Sequence, residues 1–495
     1  MPKGDLSQHS TLFYQLAFGG LFLFIVMAGV KPMMYGSSMN LKLFGAMILG
    51  ISMVLALDKY YWVLLPLLQT SGINIPGLPF SGFEIGELAV ISVYFIRKGI
   101  RGTGERPIRL TGELISTFPL VFWIFGMFCV YPCGMNFTGS TMIGGRFYMQ
   151  IFLAWLTLLV ASTWRFDEKS CRVLFFCILF GSSISLVREI FSARISSSSD
   201  ADQGSAYELI GFSLFYTVMF ARYNLSEILS KLWRTAVVGI SVILLINSGK
   251  RAMMATIVLI PIVKVFLTGR DKLLTLFCAF LGVIGLSVVV MGDLAGMYEL
   301  PKSAKRALAV VVPSYRSSRE GSGMNDKFRE LVHGYAIAQI KQSPWIGMKG
   351  FAVDRNTLSI MSSRSIGENS YQQHSGHAVA RNWHSLVHAY PADFGLPALL
   401  FFLIFYVKLL KTTINISWKY LPVVNTYTSA MLTYCSLQIL SACFYMTTGG
   451  HSALSTQGIF FRFALFIAIS NGIIYAKSQT NTNILPTLTP KKSLT

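Results

Sequence analysis

Apolar residues in this chain gather in long unbroken runs, unlike the narrow periodic stripes of a soluble domain. Runs long enough, or nearly long enough, to cross a bilayer fall at residues 11–30, 39–57, 84–97, 112–132, 147–163, 170–187, 206–221, 235–247, 252–268, 273–292, 391–410, 422–446 and 457–475. A shorter run, 59–70, reads as a fourteenth span or as a re-entrant piece. Against this background residues 293–390 form one long polar segment, and it holds five of the seven histidines: His333, His374, His377, His384 and His388. Inside it, Phe328, Leu331, Val332, Tyr335, Ala336, Ala338 and Ile340 recur at helical spacing, which predicts an amphipathic helix over 326–340. Ser343-Pro344 and a turn around Gly347 and Gly350 close it. The segment ends in Arg381-Asn382-Trp383-His384-Ser385-Leu386-Val387-His388 and runs into an apolar helix from about Pro391. A reactive side chain there sits at the lipid boundary, which suits a lipid-linked substrate.

Composition agrees with the pattern. The chain is 53% hydrophobic and only 13% charged, which excludes a soluble globule of ordinary surface. Lys and Arg beside the spans set the orientation, because they are retained on the cytoplasmic side. Arg97, Lys98, Arg101, Arg106 and Arg109 fall on one side together with Arg165, Lys169, Arg172, Arg222, Lys231, Arg234, Arg270, Lys272, Lys408, Lys411, Lys419, Lys477, Lys491 and Lys492. They do so when the amino terminus is inside and the 59–70 run crosses. Fourteen crossings with both termini cytoplasmic follow, and 293–390 lies outside. Residues 1–10 are polar and lack a cleavage site, so the first span reads as an anchor.

The net charge of +20 exceeds what the cytoplasmic loops explain. Arg146, Arg188, Arg194, Lys250, Arg251 and the cations of the large loop fall on the outer side, where anionic lipid headgroups or an anionic substrate would attract them. Charge spread over both faces of a membrane excludes a double-stranded nucleic acid partner. The seven cysteines lie in or beside spans, so no disulfide holds the large loop.

Three constellations carry candidate chemistry. Ser248-Gly249-Lys250-Arg251 makes a tight outer hairpin, with Arg251 opening the descending helix. An arginine there serves as a snorkelling anchor or as an anion ligand, since the first helical turn also offers free backbone N–H groups. Arg329 stands near the start of the loop helix, where the helix dipole disfavours a cation unless an anion is close; a surface pair with Glu330 or Asp326 is the plain alternative. The pairs His374/His377 and His384/His388 have spacings that zinc sites use, but Ser385 stands where a zinc protease needs glutamate. A satisfied structural histidine is the ordinary reading for His333, His374, His377 and His451. Lys250, and Arg316 and Arg319 in the Ser- and Gly-rich stretch 313–323, are secondary candidates for anion or glycan contacts. Tyr315, Trp345 and Trp383 could stack on sugars or pack against helices. Asp393 could orient a histidine or cap the helix near Pro391.

His384-Ser385, followed by Gly395-Leu396-Pro397-Ala398, resembles the signature of the bacterial O-antigen ligase and O-antigen polymerase superfamily. Residues 329–351, ending in Ser343-Pro344-Trp345-Ile346-Gly347-Met348-Lys349-Gly350-Phe351, are similar to the region preceding that signature. The hairpin Ser248-Gly249-Lys250-Arg251-Ala252 is similar to the Ser-x-x-Arg-small element of those families. Ala398 departs from the usual last position, and Ser385 is a less common choice than Asn. The resemblance covers roughly residues 235–410.

What it implies is an all-α, GT-C-like polytopic membrane protein of about 12–14 transmembrane helices with a large, partly helical periplasmic loop. Its activity would be metal- and cofactor-independent glycosyl transfer at the periplasmic face of the bacterial inner membrane. The donor would be a glycan on undecaprenyl pyrophosphate, with His384 as general base and Arg251 and Arg329 on the pyrophosphate. Lys250, Arg316, Arg319 and His388 would contact substrate. The acceptor would be a second lipid-linked repeat unit for a polymerase, or lipid A-core for a ligase; a protein-glycosylating relative is a further option. Membrane lipids and a chain-length regulator complete the implied partners. The rival class is a lipid-linked oligosaccharide flippase, whose charged residues would line a path inside the spans.

Overall fold

The computed structural model describes residues 58–71, 81–101, 108–133, 142–196, 210–247, 251–301, 323–354, 383, 385–448 and 452–484, with scattered positions between 304 and 315. The expected spans 11–30 and 39–57 lie outside the described residues.

Nearly every described residue is helical. A 3-10 stretch, Asp58–Val63, leads into α1 (Leu64–Ser71), followed by α2 (Gly82–Arg101), a one-turn helix Gly112–Ile115, and α3 (Phe118–Val130). Next come α4 (Gly145–Ala161), α5 (Glu168–Ser196), α6 (Ile210–Arg222), α7 (Leu232–Asn247), α8 (Arg251–Thr268) and α9 (Lys272–Leu294). The long polar segment carries α10 (Gly323–Gln342), and α11 (Leu386–Phe394), α12 (Leu396–Tyr420), α13 (Thr426–Thr448) and α14 (Ser452–Ile484) complete the chain. The one sheet element among the described residues is a short antiparallel ladder, β1 (Met142–Ile143) with β2 (Val353–Asp354).

Among the described residues, four helical stretches are long and apolar enough to cross a membrane by length and composition: Gly112–Val130, Lys272–Leu294, Leu396–Tyr420 and Ser452–Gln479. Gly145–Ala161, Leu232–Ile246 and Ala255–Thr268 are apolar but shorter. The molecule is therefore an α-helical membrane protein by the character of these elements. Its core is aromatic and aliphatic, built around α14, whose Phe460, Phe463 and Phe466 are fully buried against α4, α12 and α13. α9 is the opposite case: Leu273, Leu276, Phe280, Val283 and Met291 all face outward, as suits a helix solvated by lipid.

The contacts sort into two ends. At one, the starts of α2, α4 and α14 meet: Arg146 and Gln150 bond Glu84, Gln457 bonds Glu87, and Ser452 bonds Asp393 of α11. At the other, Asn471 donates to the Ser162 carbonyl, Arg165 covers the Tyr475 ring, and Glu168 accepts from the backbone of Tyr427 and Thr428. The β1–β2 ladder ties the polar segment to the first of these, here termed the loop end.

Candidate functional site

The sequence suggests one apolar helix from about Pro391, and the structure divides it. α11 stops at Phe394, Gly395 turns the chain with φ +84°, and α12 starts at Leu396 with Pro397 in its first turn. The cause is tertiary. A Cβ on Gly395 would lie 2.0 Å from the Trp345 carbonyl oxygen, so only glycine permits this approach as well as this φ.

The turn that follows α10 docks onto that break. Met348 N–H donates to the Ala392 carbonyl (2.7 Å), Gly350 N–H to the Asp393 carbonyl (2.7 Å), and Leu396 N–H to the Pro344 carbonyl (2.7 Å). Gly347 and Gly350 both have positive φ, and a Cβ on either would strike the Ala392 carbonyl or the Tyr148 hydroxyl. Phe351 then enters the core, its N–H bonded to the Tyr148 hydroxyl and its ring against Phe394. Trp123 Nε1 donates to the Phe394 carbonyl, so α3 holds the same corner from the membrane side.

α10 lies along α11. Val332 and Ala336 are fully buried against Trp383, Ala389 and Ala392, with Tyr335, Ile340 and Met348 at the margin. Next to Val332, the ring of His333 stacks on that of His388, 4.4 Å between centroids and 17° from parallel. His388 Nδ1 is buried with no hydrogen-bond partner among the described residues. Burial, and secondly the proximity of His333, hold the His388 pKa below the ordinary histidine value. Burial thus favours the neutral form of His388.

Asp393 does not cap a helix starting near Pro391, because it lies at the end of α11. It is fully buried at the end of α11, accepting from Trp383 Nε1 (2.8 Å) and from Ser452 Oγ (2.9 Å). Tyr390 and Thr456 share a short hydroxyl contact on the same side of α14. Trp383 is accordingly packed in the core with its N–H satisfied, so the sugar-stacking role considered for it is overturned. Trp345 is the exposed tryptophan of this region.

His384, Lys250, Arg316, Arg319, His374, His377 and His451 lie outside the described residues. The chain neighbours of His384, Trp383 and Ser385, are both buried. Arg251 is the first residue of α8, as expected, and Arg329 lies in the second turn of α10. His333, four positions further along α10, is the residue of this helix whose ring meets α11. The described packing of α8 is against α6, α7, α9, α12 and α13. The structure thus joins the helices of Arg329 and His388, α10 and α11.

Sequence reasoning passed over several polar residues that the fold makes prominent. His333, whose ordinary reading is a satisfied structural histidine, is the stacking partner of His388. Arg146 was counted among the surplus outer cations, whereas its guanidinium grips Glu84 at 3.0 and 3.2 Å. Glu84 and Glu87, two carboxylates one turn apart inside an apolar run, were the available signal. With the geometry in hand, comparison with known proteins adds nothing to it: the chain matches no family model, and no curated protein is significantly similar.

Proposed function

We propose that this protein is a membrane glycosyltransferase that joins undecaprenyl-pyrophosphate-linked oligosaccharide repeat units into O-antigen or a related surface polysaccharide. It acts at the periplasmic face of the bacterial inner membrane, on a GT-C-like body of about 12–14 crossings. The observation that carries the reading is the union of α10, its closing turn and α11. Two stretches quoted for the superfamily resemblance, residues 329–351 and the part of the signature from Ser385 to Gly395, pack together through three backbone hydrogen bonds and a buried apolar seam. A chain with no use for both stretches together would not need glycines at 347, 350 and 395.

The chemistry follows from the residue types. An acceptor hydroxyl attacks the anomeric carbon as the carbon–oxygen bond to the pyrophosphate breaks, and its proton passes to His384. The leaving lipid pyrophosphate gathers negative charge, which Arg329 and Arg251 stabilise by bidentate hydrogen bonds; Lys250, Arg316, Arg319 and His388 line the approach. Direct displacement inverts the anomeric centre and leaves no sugar on the enzyme. A general base must be neutral to act, and nearby arginines would lower the pKa of His384 and favour that form.

The test is turnover by purified protein of lipid-pyrophosphate-linked repeat units, with and without lipid A-core. Ladders of longer lipid-linked glycan are expected from wild type and not from His384→Ala. Transfer only in the presence of lipid A-core would make the protein a ligase, and no glycosidic bond under either condition would favour a flippase.

A further inference from the structure

Glu84 and Glu87 sit at the loop end of α2, both essentially excluded from solvent. Glu84 is accounted for. With Ser81 it forms a reciprocal cap, Ser81 N–H to Oε2 at 2.6 Å and Glu84 N–H to Ser81 Oγ at 3.3 Å. The Arg146 guanidinium neutralises it from α4, and Gln150 Nε2 donates to Oε1 at 2.5 Å.

Glu87 is not accounted for. Its one described polar partner is the neutral Gln457 amide of α14, Nε2 to Oε2 at 2.9 Å. The charged groups facing it are few. α2 itself contributes Glu84 and α4 contributes Arg146, already committed to Glu84. α1 has no charged residue. Arg462, five residues beyond Gln457, lies roughly 140° round α14 and faces Tyr406 and Tyr434 instead. The pair Glu84–Arg146 is neutral, so an ionised Glu87 would be a buried negative charge with no counterion among the described residues, which burial strongly disfavours.

An independent feature points the same way. Gln150, buried on α4, has its amide orientation set by Glu84, and this leaves Gln150 Oε1 buried with no hydrogen-bond partner. In this corner of α2, α4 and α14, Glu87 has no described counterion and Gln150 Oε1 no donor; a proton or a small coordinated cation answers the first, and an amide oxygen can accept from or ligate either. We propose that Glu87 and Gln150, with Glu84 and Gln457 beside them, form a site for one exchangeable monovalent cation, a proton or a sodium ion. An ionisable residue inside a membrane bundle serves such a purpose more often than a structural one. The site is also placed to matter: Gln457 follows Ser452 and Thr456 on α14, which grip Asp393 and Tyr390 of α11. Occupancy thus bears on the helix that carries the docked unit. This inference does not depend on the glycosyltransferase reading.

The experiment uses full-length protein in lipid nanodiscs, wild type against the isosteric Glu87→Gln, which keeps a hydrogen-bonding side chain and needs no counterion. Infrared difference spectra between neutral and alkaline pH report a proton, and thermal melting in sodium against matched choline reports sodium. A carboxylic-acid C=O band that titrates in wild type and is missing from Glu87→Gln would assign the proton. A saturable sodium-dependent rise in Tm, abolished in Glu87→Gln and weakened at least tenfold in apparent affinity by Gln150→Leu, would assign sodium. If wild type shows neither the band nor a sodium effect beyond choline, or if Glu87→Gln retains whichever is seen, the proposal is wrong.

Discussion

The two ends of the helix bundle treat charge in contrasting ways. At the end away from the loop, guanidiniums rest on rings: Arg165 lies 4.1 Å from the Tyr475 centroid, Arg234 3.8 Å from Tyr223, and Arg172 and Arg222 bracket Tyr427 at 5.6 and 5.3 Å. Such contacts tolerate many geometries and contribute little each. At the loop end the polar groups are buried and directional: Glu84 with Arg146 and Gln150, Glu87 with Gln457, Asp393 with Trp383 and Ser452. A buried polar group must be satisfied in place, so this end specifies one arrangement. The lesson is that arginine count is a poor guide to a site in a basic membrane protein. The satisfaction of buried carboxylates is a better one.

The comparison breaks most severely where the loop end is locked by close approach. Gly395→Val forces a positive φ on a β-branched residue and drives its Cβ into the Trp345 carbonyl. The expected loss is about 3 kcal/mol or more, read as disappearance of folded, monodisperse protein and as protease cleavage between α10 and α11. Asp393→Ala comes next. It strands the Trp383 and Ser452 donors in a dry corner, and a melt should lose about 2–4 kcal/mol. Asp393→Asn should recover part of that.

A smaller effect concerns pH. The folded-state pKa of His388 lies below its unfolded value of about 6.5, so the unfolded chain binds the extra proton first. The stability linked to this histidine is therefore present above that unfolded pKa and is lost as pH falls through it towards the folded value. Proteolysis of the α10–α11 unit should accelerate on acidification below about pH 6.5, and His388→Phe should flatten that dependence while keeping the stack with His333. The smallest change belongs to the other end: Arg165→Ala removes a single ring contact, for about 0.5–1 kcal/mol. A loss there as large as at Asp393 would erase the distinction between the ends.

Much of the framework was legible in the residues because it is local. Helical spacing located α10 to within a few positions, and Gly347 and Gly350 announced the turn after it. The break at Gly395 was hidden, since residues 391–410 read as one apolar run and the positive φ is imposed by the Trp345 carbonyl from another segment. The acidic pair was visible as carboxylates in an apolar stretch, but its partners are remote: Arg146 is 62 positions from Glu84 and Gln457 370 from Glu87. Nothing in local pattern links such residues. The His333–His388 stack is of the same kind, a product of how α10 lies on α11 and not of either helix alone.

The account's central claim is that the docked α10–α11 unit belongs to a site where Arg329 holds a lipid pyrophosphate and His384 takes a proton. The most direct test measures donor binding and product formation on the same purified protein. His384→Ala should bind the lipid-pyrophosphate donor within about threefold of wild type yet form no glycosidic bond, while Arg329→Ala should weaken donor binding about tenfold or more. Wild-type turnover by His384→Ala, or unchanged donor affinity in Arg329→Ala, would contradict the account.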